Sequence, residues 1–156
     1  MKKMVNIGFI CSGGGHLTEL LQIAGISKDS KKFLVTYQGI NNEIHSYKFF
    51  TNKYKLSWTF SNPIIMFINF LKIIIILLKE KPKFLISTGG ELAVPFFYLS
   101  KIFFGTKLIY LEIYARVSTT SIAGRFVYPI TDLFLVQWKS LTQKYGKKAK
   151  YIGALV

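Results

Sequence analysis

Cysteine is almost absent from this sequence of 156 residues, and that scarcity limits the kinds of site the protein can hold. The single Cys11 excludes a disulfide framework and a zinc site built on cysteine pairs. With only two histidines, His16 and His45, a histidine-rich metal site is not expected either. The sequence also lacks an Asp-x-Asp motif, so we predict no metal ion. We expect no cofactor either.

Acidic residues are scarce too, since 7 Asp and Glu stand against 21 Lys and Arg, a net charge of +14. All the basic residues are lysines except Arg116 and Arg125. Dispersed lysine suits general attraction to an anionic surface better than reading of bases, for which arginine is preferred. Because no arginine-rich stripe or ribonucleoprotein motif is present, we expect no nucleic-acid partner. A lysine bias that adds only solubility is the simpler alternative.

Long apolar runs are missing as well. The longest, Ile64–Leu78, is interrupted by Asn69 and Lys72 and is shorter than the roughly 20 residues that cross a bilayer. The N-terminal apolar run stops at glycines and has neither the h-region nor the cleavage site of a signal peptide. We therefore expect a cytoplasmic chain that meets an anionic membrane surface peripherally.

The Ile-rich segment is the best candidate for that contact. Asn69, Lys72 and Lys79 fall on one narrow stripe at helical spacing, which leaves a wide apolar face. Such a helix could pack one flank on a sheet and present the other to lipid, with lysines meeting the headgroups. The predicted contacts are Ile68, Lys72, Ile75 and Lys79. An ordinary buried crossover helix is the alternative.

Short apolar runs alternate with helical patterns along the chain, which predicts an α/β fold with a doubly wound, parallel, Rossmann-like sheet. The length suits one domain over residues 1–156. The segment 149–156 is interpreted as the start of a link toward a further domain. The predicted strands are 4–10, 33–37, 54–58, 84–87, 107–112 and 133–137, and the predicted helices are 17–24, 62–80, 92–104, 119–129 and 139–145.

Two glycine-rich loops, residues 12–16 and 87–91, follow predicted strands one and four. The first runs from Ser12 through three glycines to His16 and opens a helix, where backbone N–H groups can approach a phosphate. It is not a P-loop, because Gly-Lys-Ser/Thr is missing. It is not a dinucleotide fingerprint either, because Thr18 stands where the third glycine is needed. Strands one and four flank the switch point of such a sheet, so both loops should face one crevice. The predicted diphosphate cradle is Ser12, Gly13, Gly14, Gly15, Thr88, Gly89 and Gly90.

Alternatives without a ligand exist for each candidate. The loops could be tight turns, and Glu91 could act only at the start of its helix. We predict His16 as a general base for a sugar hydroxyl, or else as a residue that orders its loop. Glu112 could orient a sugar and Arg116 could bind a phosphate bidentately, or the two could simply pair with each other. Cys11 is expected to be a buried, inert thiol.

Three blocks of sequence carry a family resemblance. CSGGGHLTELL, ISTGGELAVPFFYLSK and LEIYARVSTTSIAGRFVYPITDLFLVQW, with the ending YIGALV, resemble the acceptor-side subunit of two-component glycosyltransferases. One branch of that family recruits the UDP-N-acetylglucosamine transferase of dolichol-linked oligosaccharide synthesis to the membrane. Bacterial relatives serve capsular and exopolysaccharide assembly, including the enhancer subunit of β-1,4-galactosyltransferases.

The resemblance implies the N-terminal half of a GT-B glycosyltransferase, with the domain that binds the UDP-sugar on a separate chain. It implies a polyprenyl-diphosphate-linked sugar as acceptor, and a peripheral location on the cytoplasmic face of a bacterial membrane. By position it assigns the loop glycines, His16, Glu112 and Arg116 to the site. The chain would be inactive without its partner. A non-catalytic enhancer, with all the chemistry on the partner, is the alternative.

Overall fold

The computed structural model describes residues 5–26, 30–38, 48–57 and 62–155. Seven parallel strands form one sheet in the order β3-β2-β1-β4-β5-β6-β7. The strands are β1 Asn6–Cys11, β2 Lys31–Tyr37, β3 Asn52–Leu56, β4 Phe84–Gly89, β5 Lys107–Leu111, β6 Leu133–Val136 and β7 Ala149–Tyr151. The helices are α1 Gly15–Ile26, α2 Pro63–Glu80, α3 Ala93–Phe104, α4 Ile122–Val127 and α5 Lys139–Tyr145.

The predicted α/β class is confirmed, and β1 and β4 lie side by side at the switch point as expected. The sequence analysis missed one strand. Residues 149–151 form β7, which pairs with β6 at the edge of the sheet. Three residues are too few to show a periodic pattern in the sequence, so pairing with β6 alone reveals this strand.

The helices cover the sheet on both faces. On one face, α1 packs Leu17, Leu20 and Ala24 against Phe9 of β1 and Leu34 of β2. On the other face lies the larger core, which α2, α3, α4 and α5 form with side chains from all seven strands. Alternate residues of β1 and β2 enter opposite cores, as a strand with both faces buried requires.

Local chemistry fixes both ends of α2. Asn62 is the N-cap, and its side chain accepts a 2.8 Å hydrogen bond from the backbone N–H of Ile64. Pro63 occupies the first helical position, where its missing N–H costs nothing. Lys81 then adopts a left-handed conformation, and Pro82 prevents continuation of the helix. Since α2 connects two parallel strands, its N-terminal end lies at the carboxyl edge of the sheet.

Asn69 does not lie on an exposed polar stripe, contrary to the prediction from helical spacing. Its side chain is buried, and it donates a 2.8 Å hydrogen bond to the carbonyl of Ser57. Lys72 is half-buried, whereas Lys79 is exposed and lies over the ring of Tyr54. The outer face of α2 is instead a stripe of exposed apolar side chains: Ile64, Ile68, Leu71, Ile75 and Leu78. Among the described residues, we find no helix with the length and hydropathy to cross a membrane.

A buried carboxylate ties the C-terminal end of α2 to the amino edge of the sheet. The side chain of Glu80 has no exposed surface. It accepts hydrogen bonds of 2.6 Å from both Asn52 and Tyr54, 3.1 Å from Asn6 and 3.3 Å from Lys31. These four donors come from the starts of β1, β2 and β3, so one carboxylate links α2 to three strands.

Candidate functional site

The two glycine loops touch each other at the carboxyl ends of β1 and β4. A methyl group on Gly90 would lie 2.8 Å from the side chain of Ser12, and one on Gly89 would lie 2.7 Å from the ring of His16. Both glycines also have positive φ angles of 88° and 120°. Only glycine therefore permits this close approach of the loops.

Reciprocal hydrogen bonds lock the loops together. The Thr88 hydroxyl donates to the carbonyl of His16 at 2.6 Å, and Nδ1 of His16 lies 2.7 Å from the carbonyl of Thr88. The backbone N–H of Gly89 is also used internally, since it donates to Ser87 at 3.0 Å. The Thr88 hydroxyl and the Gly89 N–H, which we predicted to contact a diphosphate, are therefore used within the cradle itself.

The contact with Thr88 fixes the tautomer of His16. A carbonyl oxygen only accepts hydrogen bonds, so Nδ1 of the neutral ring must carry the proton. Nε2 is then the unprotonated nitrogen, the form in which a histidine can accept a proton from a hydroxyl group. His16 is partly exposed and lines the cavity described below. The structure thus brings a competent proton acceptor to the mouth of the crevice.

Hydrogen-bond donors remain open around the first loop. The first N–H groups of a helix have no intrahelical acceptor, and within the described part of the chain those of Gly15 and His16 find none elsewhere. Gly13, Gly14 and Gly15 are partly or fully exposed. Arg116 is exposed too, and its guanidinium makes a 3.4 Å hydrogen bond to Thr119. These groups favour an anionic ligand.

Glu112 lies beneath the site. Its side chain is completely buried and is absent from the lining of the cavity. It accepts hydrogen bonds from the hydroxyl of Ser121 at 2.8 Å, from the backbone N–H of Ser121 at 3.3 Å and from the hydroxyl of Tyr145. Gly124 leaves the room for this cluster, because a methyl group there would lie 2.7 Å from the carboxylate.

This position corrects two expectations about Glu112. The carboxylate does not reach the cleft where it could orient a sugar, and among the described residues Arg116 makes no ion pair with it. Instead, Glu112 holds the start of α4 and so supports the loop that carries Arg116. Burial and the charge of Glu112 both raise the pKa of Tyr145, which keeps this hydroxyl protonated as a donor.

We expect Glu112→Ala to lower the free energy of unfolding by about 2–3 kcal/mol, because it leaves buried donors on Ser121 and Tyr145 unpaired. Tyr145→Phe removes a hydroxyl that donates to Glu112 and accepts a 3.1 Å hydrogen bond from the backbone N–H of Ser121, and it should cost about 1–2 kcal/mol. Urea denaturation monitored by circular dichroism measures both variants. Equal stabilities for Glu112→Ala and the unsubstituted protein would contradict a role in holding the loop.

Glu19 is the residue of this edge that sequence reasoning missed. It is buried in α1 and accepts hydrogen bonds from the backbone N–H of Tyr114 at 3.0 Å and from Gln137 at 2.6 Å. Gln137 also donates to the carbonyl of Glu112 at 3.2 Å. A carboxylate between leucines on an apolar helix was the available signal, since such a group needs partners when buried. Glu19 couples the first helix to the loop that carries Arg116.

The remaining candidates are simpler. Cys11 is completely buried, and burial raises the pKa of its thiol to about 12, so it is unreactive as predicted. Glu91 makes no capping bond, because the N-cap of α3 is Leu92 and no side chain bonds there. One oxygen of Glu91 is buried without a hydrogen-bond partner among the described residues. His45 lies outside the described residues.

A cavity of about 820 Å³ opens beside the loops. Its polar lining comes from the carboxyl edge of the sheet and includes His16, Gly90, Glu91 and Arg116. Its apolar lining comes from three helices and includes Met66, Phe67 and Phe70 of α2, Pro95 of α3, and Ile122 and Phe126 of α4. We call the apolar part the α2–α4 cleft. The volume lies within the range of roughly 300–1,000 Å³ typical of ligand sites.

Sequence comparison gives this site a family. Residues 53–155, which include the second glycine loop, Glu112 and Arg116, match the family described as oligosaccharide biosynthesis protein Alg14 like. The chain belongs to this Alg14-like family. The first glycine loop and His16 precede the matched residues.

Curated Alg14 proteins are similar to part of the chain. It is 42% identical over 84 residues to the UDP-N-acetylglucosamine transferase subunit ALG14 of Debaryomyces hansenii, and 37% identical over 93 residues to that of Candida albicans. These matches cover 51% and 56% of this chain but 36% and 42% of the relatives. The chain therefore spans about two fifths of the length of these Alg14 proteins.

Solved structures agree on the fold of this Alg14-like chain. MurG of Acinetobacter baumannii superposes with a TM-score of 0.79 and 10% identity, covering 96% of this chain and 45% of that one. The UDP-GlcNAc 2-epimerase of Methanocaldococcus jannaschii gives a TM-score of 0.72 at 13% identity, with the same coverage. These likenesses confirm the Rossmann-like fold, which corresponds to about half of each of these two chains.

Proposed function

We propose that this chain is the acceptor-binding subunit of a two-component glycosyltransferase, whose second chain binds the UDP-sugar. The observation that carries the proposal is the pair of locked glycine loops, with His16 at the mouth of an 820 Å³ cavity. Family membership supports it, since the curated relatives are named as transferase subunits. We further propose that the acceptor is a polyprenyl-diphosphate-linked sugar used in bacterial capsular or exopolysaccharide assembly.

The diphosphate would bind at the first loop and the start of α1. There Gly15 and His16 offer open N–H groups, and Arg116 supplies positive charge. Gly90, which has no side chain, lets the second loop lie against the first. Backbone donors at a helix N-terminus favour negative charge, and a guanidinium can bind a phosphate bidentately. The proposed diphosphate contacts are Ser12, Gly13, Gly14, Gly15, Gly90 and Arg116.

His16 would act as the general base of the transfer. Its Nε2 would take the proton from the acceptor hydroxyl as that oxygen attacks the anomeric carbon of the UDP-sugar. The bond between the anomeric carbon and the UDP oxygen breaks, and UDP leaves with its electrons. The bond from Nδ1 to Thr88 holds the ring in the tautomer that this step requires.

The outer face of α2 would contact the cytoplasmic side of the membrane. Ile68 and Ile75 lie on this exposed apolar stripe. The N-terminal end of α2 and the mouth of the cavity share one edge of the sheet, so a lipid-linked acceptor could reach the loops from the bilayer. Lys79, at the far end of the helix, would meet anionic headgroups only if α2 lay along the surface.

A transfer assay tests the proposal directly. Bacterial membranes that contain the lipid-linked acceptor would receive UDP-sugars with this chain alone, with the glycosyltransferase-like chain encoded beside it, or with both. We expect transfer only, or much faster, with both chains, and the productive UDP-sugar names the reaction. Full activity of this chain alone, or of the partner alone, contradicts a split enzyme.

Gly90→Ala should weaken diphosphate binding by at least about tenfold, because the new methyl group collides with Ser12 and separates the loops. Isothermal titration of the single chain with inorganic diphosphate measures the loss. Gly105→Ala is the matched control, since Gly105 also has a positive φ angle, of 61°, but has open space around it and caps α3 far from the loops. Equal affinities for the two variants would contradict the cradle.

A further inference from the structure

Large apolar side chains of the α2–α4 cleft are exposed to solvent. Phe67 of α2 is 62% exposed and Phe126 of α4 is 59% exposed, although both face one cavity. Phe70, Met66 and Ile122 on the same walls are exposed as well. Large apolar side chains that converge on an open cavity indicate a site for an apolar ligand, because scattered exposure would not concentrate them in one place.

The cleft is continuous with the polar end of the same cavity. His16, Gly90, Glu91 and Arg116 line that end, and the guanidinium of Arg116 and the open N–H groups of the first loop are its donors for an anion. A single ligand that fills the whole cavity must therefore combine an anionic head with an apolar chain. A free diphosphate or a sugar phosphate would leave the apolar walls unused, and an uncharged lipid would leave the loop donors and Arg116 unused.

We infer that the α2–α4 cleft binds the first isoprene units of the acceptor's polyprenyl carrier, directly beyond its diphosphate. This inference rests on the proposed function, because the diphosphate on the glycine loops sets the direction of the chain. The protein then recognises the carrier itself and not only the sugar and the diphosphate.

If the cleft binds the tail, the protein should prefer prenylated diphosphates even when no membrane is present. Affinity should rise with each isoprene unit that the cleft buries, because binding strengthens with the apolar area removed from water. The effect should stop once the chain extends past the cleft. A membrane that only concentrates the acceptor would produce no such dependence for a short prenyl diphosphate dissolved in water.

Titration calorimetry of the single chain with three soluble probes separates the two ideas. Inorganic diphosphate reports the head site, and geranyl and farnesyl diphosphate add two and three isoprene units. We expect farnesyl diphosphate to bind at least about 100-fold more tightly than inorganic diphosphate, with geranyl diphosphate between them. Equal affinities for all three would overturn the inference and leave the proposed function intact. No binding of any probe would overturn the proposed function itself.

Phe126→Ala locates the tail. This substitution should weaken the binding of farnesyl diphosphate at least about tenfold, so that its affinity comes closer to that of inorganic diphosphate. Phe103→Ala is the matched control, because Phe103 is a similarly exposed phenylalanine, at 68%, that does not line the cavity. Equal losses in the two variants would mean non-specific adsorption and would overturn the inference. So would tighter binding of lysophosphatidic acid than of farnesyl diphosphate, which would assign the cleft to a membrane phospholipid.

Discussion

Replacing His16 by asparagine is expected to lower the kcat of the reconstituted two-chain enzyme by about 10²- to 10⁴-fold, the usual contribution of a positioned general base. An asparagine amide can still donate to the carbonyl of Thr88, so the joint between the loops survives while Nε2 is lost. The KM for the lipid-linked acceptor should therefore change little. Steady-state kinetics over a range of acceptor concentrations measures both parameters.

Thr88→Val is the complementary variant for this prediction. It removes the hydroxyl that donates to the carbonyl of His16 but leaves the imidazole in place. We expect a moderate loss of activity, with a higher KM and a lower kcat, because one of the two hydrogen bonds that hold the loops together is gone. An unchanged kcat for His16→Asn would contradict a catalytic role and would favour a non-catalytic enhancer whose partner carries all the chemistry.

Glu80→Ala is expected to lower the free energy of unfolding at neutral pH by about 2–4 kcal/mol. The substitution removes the acceptor shared by Asn6, Asn52, Tyr54 and Lys31, and so disconnects α2 from three strands at once. Lys31→Met should cost less than about 1 kcal/mol, because Lys31 is partly exposed and an exposed ion pair contributes little. Thermal and urea denaturation measure both variants.

The same carboxylate predicts how stability depends on pH. Burial opposes ionisation of Glu80, but the hydrogen bonds from Tyr54, Asn6, Asn52 and Lys31 outweigh it and lower its pKa. A lowered pKa in the folded state stabilises the protein above the unfolded value for glutamate, about 4.3, and the gain is lost as pH falls through the folded value. The stability difference between the unsubstituted protein and Glu80→Gln should therefore shrink below about pH 4. A constant difference from pH 7 to pH 3 would contradict this linkage.

The order of strands and helices was predictable because glycine and proline mark the boundaries. Asn62-Pro63 opens α2, Pro82 follows its end, and Gly105 closes α3, each through a conformation that the residue type favours. β7 was not predictable, since its three residues gain their structure from β6. A short edge strand is defined by its neighbour and not by its own pattern.

The sequence predicts at which edge of the sheet the candidate site lies, but not which side chains face the cavity. Parallel strands bring Gly90, His16 and Glu112 to the same side, and sequence order is enough to show that. Whether a side chain then points outward depends on packing. Glu112 turns inward because Ser121 and Tyr145 supply donors, and Asn69 turns inward because the carbonyl of Ser57 needs one. The partners in both cases lie 9 to 33 residues away in sequence, beyond any local pattern.

The reciprocal bonds between His16 and Thr88 also restrict how a ligand can arrive. Each loop contributes one donor and one acceptor to the joint, so the loops cannot part without breaking both bonds. The crevice is thus a fixed rim, already shaped before any ligand is present, and little ordering entropy is spent when it is filled. A ligand must fit this rim as it stands, and any movement needed for entry or release falls to the helices that line the cavity.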